Sequence, residues 1–229
     1  MDPNIAVNIY HFLSQTRELF GDELFVQKSN AIENRSSDNK FPESLEEFYS
    51  QINNCLNCQL GYKRTKFVFG VGDPNADLLL VGEAPGVDED RLGEPFVGRA
   101  GKLLDKILAA IHLNRNKGVY ICNVLKCRPP NNRDPLPSEV DQCEPYLQHQ
   151  IRLIKPKLIV ALGRVAGKTL LKHDVPLKAM REKIHYYENI PLIVTYHPAA
   201  LLRNSGFKPP TWKDFQWIQS ILDGKTNIG

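Results

Sequence analysis

The stretch "LLLVGEAPGVDEDRLGEPFVGRAGKLL", residues 78–104, decides how the rest of the chain is read. It opens as an uninterrupted apolar run, Leu78 to Val81, of the kind that suits a strand buried on both faces. The run stops at Gly82 and a carboxylate, Glu83, then passes through a Gly/Pro-rich turn to an isolated aromatic, Phe96. From Gly98 the apolar residues return at helical spacing. A buried strand, a tight turn carrying an acid and a following helix make the start of a strand–helix repeat, which implies an α/β fold.

Working outward from this stretch, the same rhythm recurs. Apolar strands are expected at 77–82, 119–124, 157–163 and 191–196, alternating with helices near 98–112, 138–154 and 164–173, and a last helix near 211–223. Near-continuous apolar strands alternating with helices imply a parallel sheet covered on both faces. Upstream, a short helix is expected from about Ser44, preceded by the polar stretch "QKSNAIENRSSDNKFPES", which reads as a linker, and by weak helical periodicity over 5–20. No internal repeat is found. In parallel α/β sheets ligands sit outside the carboxyl ends of the strands. Chemistry is therefore sought in "GEAPG", "NVLKCRPPNNR", "LGRVAGK" and "YHPAALLR".

At 229 residues and 42% hydrophobic, the chain can bury one substantial core with appendages. No stretch approaches the ~18 to 20 consecutive apolar residues of a membrane span. The N-terminus lacks a basic region followed by an apolar one, so an intracellular, cytoplasmic location without membrane association is expected. The net charge of +3 hides two basic blocks: residues 97–133 hold eight Lys/Arg against one acid, and residues 152–183 hold nine against two. Clustered charge of this kind points to a polyanion partner or to an ordinary solvated helix face.

Five cysteines are an odd number and argue against a closed disulfide framework. Cys55 and Cys58 form a C-x2-C hook, and Cys127 and Cys143 lie farther along. Two close and two distant thiolates can close a cage for zinc or for an iron–sulfur cluster, or they can be free buried thiols. Cys122, inside "VYICNV", reads as a small buried hydrophobe.

Together "CLNCQL", "VGEAPGVDEDRLGEPFVGRAGKLL", "NVLKCRPPNNRDPLPSEVDQC" and "YHPAALLR" resemble the family 4, iron–sulfur uracil-DNA glycosylases, in order and over about residues 45 to 220. The resemblance implies a three-layer α/β/α sandwich around a four-stranded parallel sheet, with a [4Fe–4S] cluster on Cys55, Cys58, Cys127 and Cys143. Residues 1–43 fall outside it as an extension, partly helical with a polar linker, ahead of a glycosylase domain over 44–229. The implied activity is monofunctional: uracil is flipped out of single- or double-stranded DNA and its N-glycosidic bond is hydrolysed, which initiates base excision repair. A monomer working at a prokaryotic nucleoid is expected.

The resemblance also implies roles for individual residues. Gly82 and Ala84 admit close backbone approach to uracil, and Phe96 stacks on the ring. Asn123 accepts from uracil N3–H and donates to O4, a polarity that cytosine reverses at both atoms. His197 donates to O2, where negative charge grows as the bond breaks. Other families in the superfamily place an Asp where Ala84 stands, so the attacking water must find another partner among Glu83, Glu89 and Asn132, with Glu83 preferred. Glu89 is further expected near the pyrimidine C5 edge, excluding the thymine methyl. For DNA, Leu201 is expected to enter the base stack, Arg203, Lys102 and Lys126 to contact phosphates, and Asn132 to lie along the strand. The competing functions are a DNA-binding module without catalysis and a zinc-stabilised nucleotide-binding protein. The latter is disfavoured, since no Gly-Lys-Ser/Thr motif follows the Gly-rich loop.

Overall fold

Strand β2 (Leu78–Gly82) is buried at every position, which is why its sequence shows no polar alternation. Its side chains divide between two cores: Leu79 and Val81 face one, Leu78 and Leu80 the other. Strands β3 (Val119–Asn123) and β4 (Leu158–Leu162) are likewise buried throughout, and β6 (Ile190–Thr195) is buried over its last four residues. These four pair in parallel in the order β3-β2-β4-β6. The structure, a computed structural model, describes residues 42–226, so the helix expected over 5–20 and nearly all of the linker lie outside the described residues.

The sheet is larger than the expected four strands. Two short antiparallel strands, β1 (Val71–Gly72) on β3 and β5 (His185–Tyr187) on β6, extend it to six. Two or three residues are too few to carry a period, so neither was legible as a strand. The β5–β6 hairpin closes through Glu188 and Asn189, both at positive φ (50° and 62°), the two-residue turn whose twist matches that of the strands.

Helices cover both faces. On one side α1 (Leu45–Ile52), α4 (Pro137–Ile154) and α5 (Arg164–Leu171) bury Phe48, Leu147, Ile151 and Leu170 against the sheet. On the other, α3 (Arg99–Ala110) and α8 (Lys208–Leu222) bury Leu104, Leu108, Phe215 and Ile218. The α/β reading with three layers therefore stands. Short helices α2 (Val87–Leu92), α6 (Leu177–Met180) and α7 (Pro198–Arg203) occupy the connections. Helix α8 begins at Lys208, three residues before the expected start, because Pro209 and Pro210 fall in the first turn, where the missing N–H groups would have no helical partner anyway.

Strand order positions the site. From β2 the chain crosses to β3 on one side, then returns past β2 to β4 on the other. The carboxyl end of β2 is thus the topological switch point, where adjacent connections diverge and leave a crevice.

Candidate active site and cysteine cage

The crevice is a cavity of about 700 Å³. Glu83, Ala84, Pro85 and Gly86 enter it from the β2 exit, Asn123 from β3, Leu162 and Gly163 from β4, and Tyr196 and His197 from β6. Phe96, Glu89, Asn132 and Arg203 complete its walls. All of the residues expected to touch uracil, other than Gly82, line this one space.

Gly82 lies immediately behind it. A Cβ there would collide with Asn123 Oδ1 and come within 2.7 Å of the Phe96 ring, so only glycine lets these two side chains approach each other. Asn123 is 2% exposed, and its Oδ1 is buried with no hydrogen-bond partner among the described residues. An orphaned buried acceptor costs about 1 to 3 kcal/mol, so it marks a position at which a ligand donor is missing.

Phe96 adopts φ 55°, a left-handed conformation unfavourable for a residue with a Cβ. Two clamps hold it. Arg115 donates from Nη2 to Phe96 O at 2.8 Å and from Nη1 to Pro95 O at 3.2 Å, and is itself anchored on Asp105. From the other side, Glu89 accepts from the backbone N–H groups of Gly86, Val97 and Gly98. Gly101, in the first turn of α3, completes the fit, since any Cβ there would overlap the Phe96 carbonyl. With three backbone donors on its carboxylate, Glu89 staples the loop at the edge of the cavity.

His197 caps α7, its Nδ1 accepting from Ala199 N–H at 3.1 Å. In the neutral ring this puts the proton on Nε2, which makes that nitrogen a donor. Burial pulls the imidazole down to about 4, with the Arg203 charge adding to the effect and Glu89 opposing it. The ring is therefore neutral at physiological pH, and it lies 5.5 Å from the Phe96 ring centroid. Glu83 is shifted the other way. Burial pushes its carboxyl up to about 7, and the negative charge of Asp134 adds to this. Asn132 sits at φ 53° on a short 3-10 turn, its Oδ1 held by Arg128 Nε at 2.8 Å.

Several expectations about DNA contact are corrected. Leu201 is only 3% exposed and packs inward, so it is not presented to a base stack; its neighbour Leu202 is 49% exposed. Lys126 is fully buried and cannot reach a phosphate. The basic blocks are also less free than their count implies. Arg115 pairs with Asp105, Arg133 with Glu139, Lys157 with Asp77, Arg164 and Lys168 with Asp174, Lys172 with Glu144, and the buried Arg181 with Asp214. Asp105 and Asp174 lie within the counted blocks, whereas Asp77, Glu139, Glu144 and Asp214 lie outside them, beyond the reach of a linear count. Lys102 and Arg203 are exposed, as a phosphate contact requires.

The cysteines gather on the α4 side of the sheet. Cys55 and Cys58 follow α1, Cys127 follows β3 and Cys143 lies on α4; all five cysteines are free thiols, and Cys122 is buried in β3 as expected. Donors surround the sulfurs: Tyr146 Oη to Cys55 Sγ at 3.2 Å, Arg64 Nη1 to Cys127 Sγ at 3.6 Å and Lys126 N–H to Cys143 Sγ at 3.3 Å. Arg64 also ties the loop by donating to the carbonyls of Cys55 and Asn53 at 2.5 and 2.8 Å. Burial pushes the Cys127 thiol up to about 11 and Cys143 up to about 12, with neighbouring cysteine charges adding to both. Arg64 opposes the rise at Cys127, and Lys126 opposes that at Cys143. Among the described residues, however, no three metal-binding side chains converge closely enough to hold a single ion.

Arg115, Arg64 and Tyr146 stand outside the quoted motifs and were not legible as supporting residues, because they lie 19, 63 and 91 residues from Phe96, Cys127 and Cys55, the groups they hold.

The family model described as the uracil DNA glycosylase superfamily matches residues 69–219. A type-4 uracil-DNA glycosylase of Archaeoglobus fulgidus is 43% identical over 191 residues, covering 80% of this chain and 96% of that protein. Another from Sulfurisphaera tokodaii is 42% identical over 187 residues, covering 78% of this chain and 85% of its own length. A type-5 uracil-DNA glycosylase from Thermus thermophilus is more distant, at 36% over 118 residues, covering 45% of this chain and 53% of its own.

Proposed function

The chain belongs to the uracil-DNA glycosylase superfamily, and we propose that it is a type-4 enzyme that excises uracil from DNA and so begins base excision repair. The single observation that carries this reading is the orphaned Oδ1 of Asn123, a residue that lines the cavity together with Phe96 and the neutral His197. Uracil supplies the missing donor, its N3–H.

The residues divide the work as follows. The uracil ring lies against Phe96, held in its left-handed conformation by Arg115 and Glu89. Asn123 accepts from N3–H and donates to O4. As the glycosidic bond breaks, the electron pair leaves with the base and negative charge grows on O2, where Nε2–H of His197 meets it. A preorganised donor of this kind is worth about 2.7 to 4 kcal/mol in the transition state. Glu83, held near neutrality in its proton affinity, positions the water that adds to the sugar C1′. Ala84 leaves room beside the base.

For DNA, Arg203 and Lys102 contact phosphates and Asn132 lies along the strand. Leu202 takes the wedge role, entering the space vacated by the flipped nucleotide. The glycosylase domain spans 44–229, with 1–43 as an extension, and the chain works as an intracellular monomer. Among the described residues no helix is long and apolar enough to cross a membrane.

The donor set around Cys55, Cys58, Cys127 and Cys143 fits thiolates, since Tyr146, Arg64 and the Lys126 amide all donate to sulfur. Four cysteines surrounded by such donors fit a [4Fe–4S] cluster, which takes a four-thiolate ligand set. Held by Cys55, Cys58, Cys127 and Cys143, a cluster would tie the exits of α1 and β3 to α4.

The deciding experiment incubates the protein with a single-uracil oligonucleotide and cleaves abasic sites with alkali. A strand break at the uracil position, absent with the matched thymine and cytosine oligonucleotides, is the expected result. An intact uracil strand at enzyme excess would overturn the proposal.

A further inference from the structure

Lys126 is a lysine at 0% exposure, lying between the cavity and the cage. Removing an ammonium from water costs several kcal/mol unless its donors are met. Its Nζ donates to the Asn123 carbonyl at 2.8 Å and to Gln150 Oε1 at 2.6 Å, and neither acceptor is a carboxylate. Gln150, itself fully buried, donates onward to Phe69 O at 3.0 Å. The backbone N–H of the same lysine donates to Cys143 Sγ at 3.3 Å. Two neutral acceptors are a weak substitute for hydration, so Lys126 is a costly way to fill this volume compared with an apolar side chain.

Its geometry suggests what it is kept for. Only Val124, Leu125 and Lys126 separate Asn123 from Cys127. The first two are pinned across the β2 exit, Val124 N–H to Gly82 O at 2.9 Å and Leu125 N–H to Glu83 O at 3.0 Å. Lys126 then folds its side chain back onto the carbonyl of Asn123. We infer that Lys126 is a positioning residue: its ammonium locks the main chain of Asn123 at the end of β3, and its amide ties that end to the cage at Cys143. The inference rests on reading Asn123 as the group that recognises uracil. It makes the cage and the base-reading side chain one rigid unit, so that disorder at Cys127 or Cys143 reaches Asn123 and Glu83 within a few bonds.

The test uses the full chain as purified, with its metal. Lys126→Met keeps an unbranched stem as far as Cε and removes both Nζ bonds. Gln150→Leu leaves the lysine but removes one acceptor, and serves if Lys126→Met does not fold. Either variant should slow single-turnover uracil excision about tenfold or more, as small misplacements of a recognition group do, while affinity for uracil-containing DNA and iron content stay within about twofold. In an Asn123→Ala background Lys126→Met should cause no further loss, because the group it positions is gone. Amide exchange at Val124 and Leu125 should also speed up about tenfold in Lys126→Met, whether or not the protein cleaves DNA. Unchanged exchange at those amides overturns the inference, as does a full multiplicative loss in the Asn123→Ala background. Faster exchange in Lys126→Met, alongside a wild type that leaves uracil in place, would support the strut while overturning the proposed activity.

Discussion

Replacing Asn123 by leucine keeps the branch point and length of the side chain while deleting its carboxamide. In the free protein Oδ1 is buried without a partner, in a residue 2% exposed and beside the Phe96 ring. Relieving an unsatisfied acceptor is worth about 1 to 3 kcal/mol, and part of that is lost to the slightly larger methyl groups beside Gly82. A net gain of about 1 kcal/mol raises the melting temperature of a domain this size by roughly 2 to 4 °C. Excision should move the other way. The variant can neither accept from N3–H nor donate to O4, and loss of even one such donor costs on the order of 10²- to 10³-fold. Thermal melting and single-turnover cleavage of the same preparation read the two effects together. A melting temperature several degrees lower would mean that Oδ1 already has a partner in the free protein; excision at the wild-type rate would mean that Asn123 does not read the base. Either result refutes the reasoning.

Glu83 has a folded pKa raised from 4.5 to about 7, so the folded chain holds a proton that the unfolded chain has lost between those values. Stability should therefore fall as pH rises through this window, while excision, which needs the carboxylate, should rise through about pH 7; Glu83→Gln should flatten both in melting and single-turnover profiles. Leu202→Ala should slow excision from duplex DNA more than from single strands, measured side by side, whereas Leu201→Ala should lower the melting temperature by an amount matching the ~2 to 5 kcal/mol of a core truncation. If Leu201→Ala leaves stability intact and impairs only duplex cleavage, the wedge belongs to Leu201. The purified chain should be brown from thiolate-to-iron absorption near ~400 nm, and Cys122→Ser should keep the colour where Cys143→Ser loses it, as checked by iron and sulfide analysis.

The layers of the fold were readable because their cause is local. Leu78 to Val81 and Leu158 to Leu162 are continuous apolar runs since both faces of each strand are covered, and each helix carries its buried stripe in its own spacing. Much of the cavity lining was readable as well, because the exits of β2, β3 and β6 each carry a short unusual motif. Edge strands β1 and β5 were not, being shorter than any period. The DNA-facing residues were read least well. Leu201 and Leu202 are adjacent and chemically identical, so only the rotation of α7 against α3 decides which one faces solvent.

By itself the sequence determined the α/β class, the extents of the four parallel strands to within a residue or two, and the set of side chains that meet in one cavity. The first two follow from the chain's own periodicity, and the third from the rule that ligands gather at strand exits together with the family resemblance. Only the tertiary structure decided which charges are free and which are bound. Lys126 looks like any basic residue in a basic block, yet it points inward because Asn123 and Gln150 offer acceptors there; Glu89 looks like a catalytic acid, yet three backbone N–H groups hold it in the loop. These partners lie 3 to 24 residues away, and a buried polar group is oriented by the nearest complementary group in space, whatever its distance along the chain.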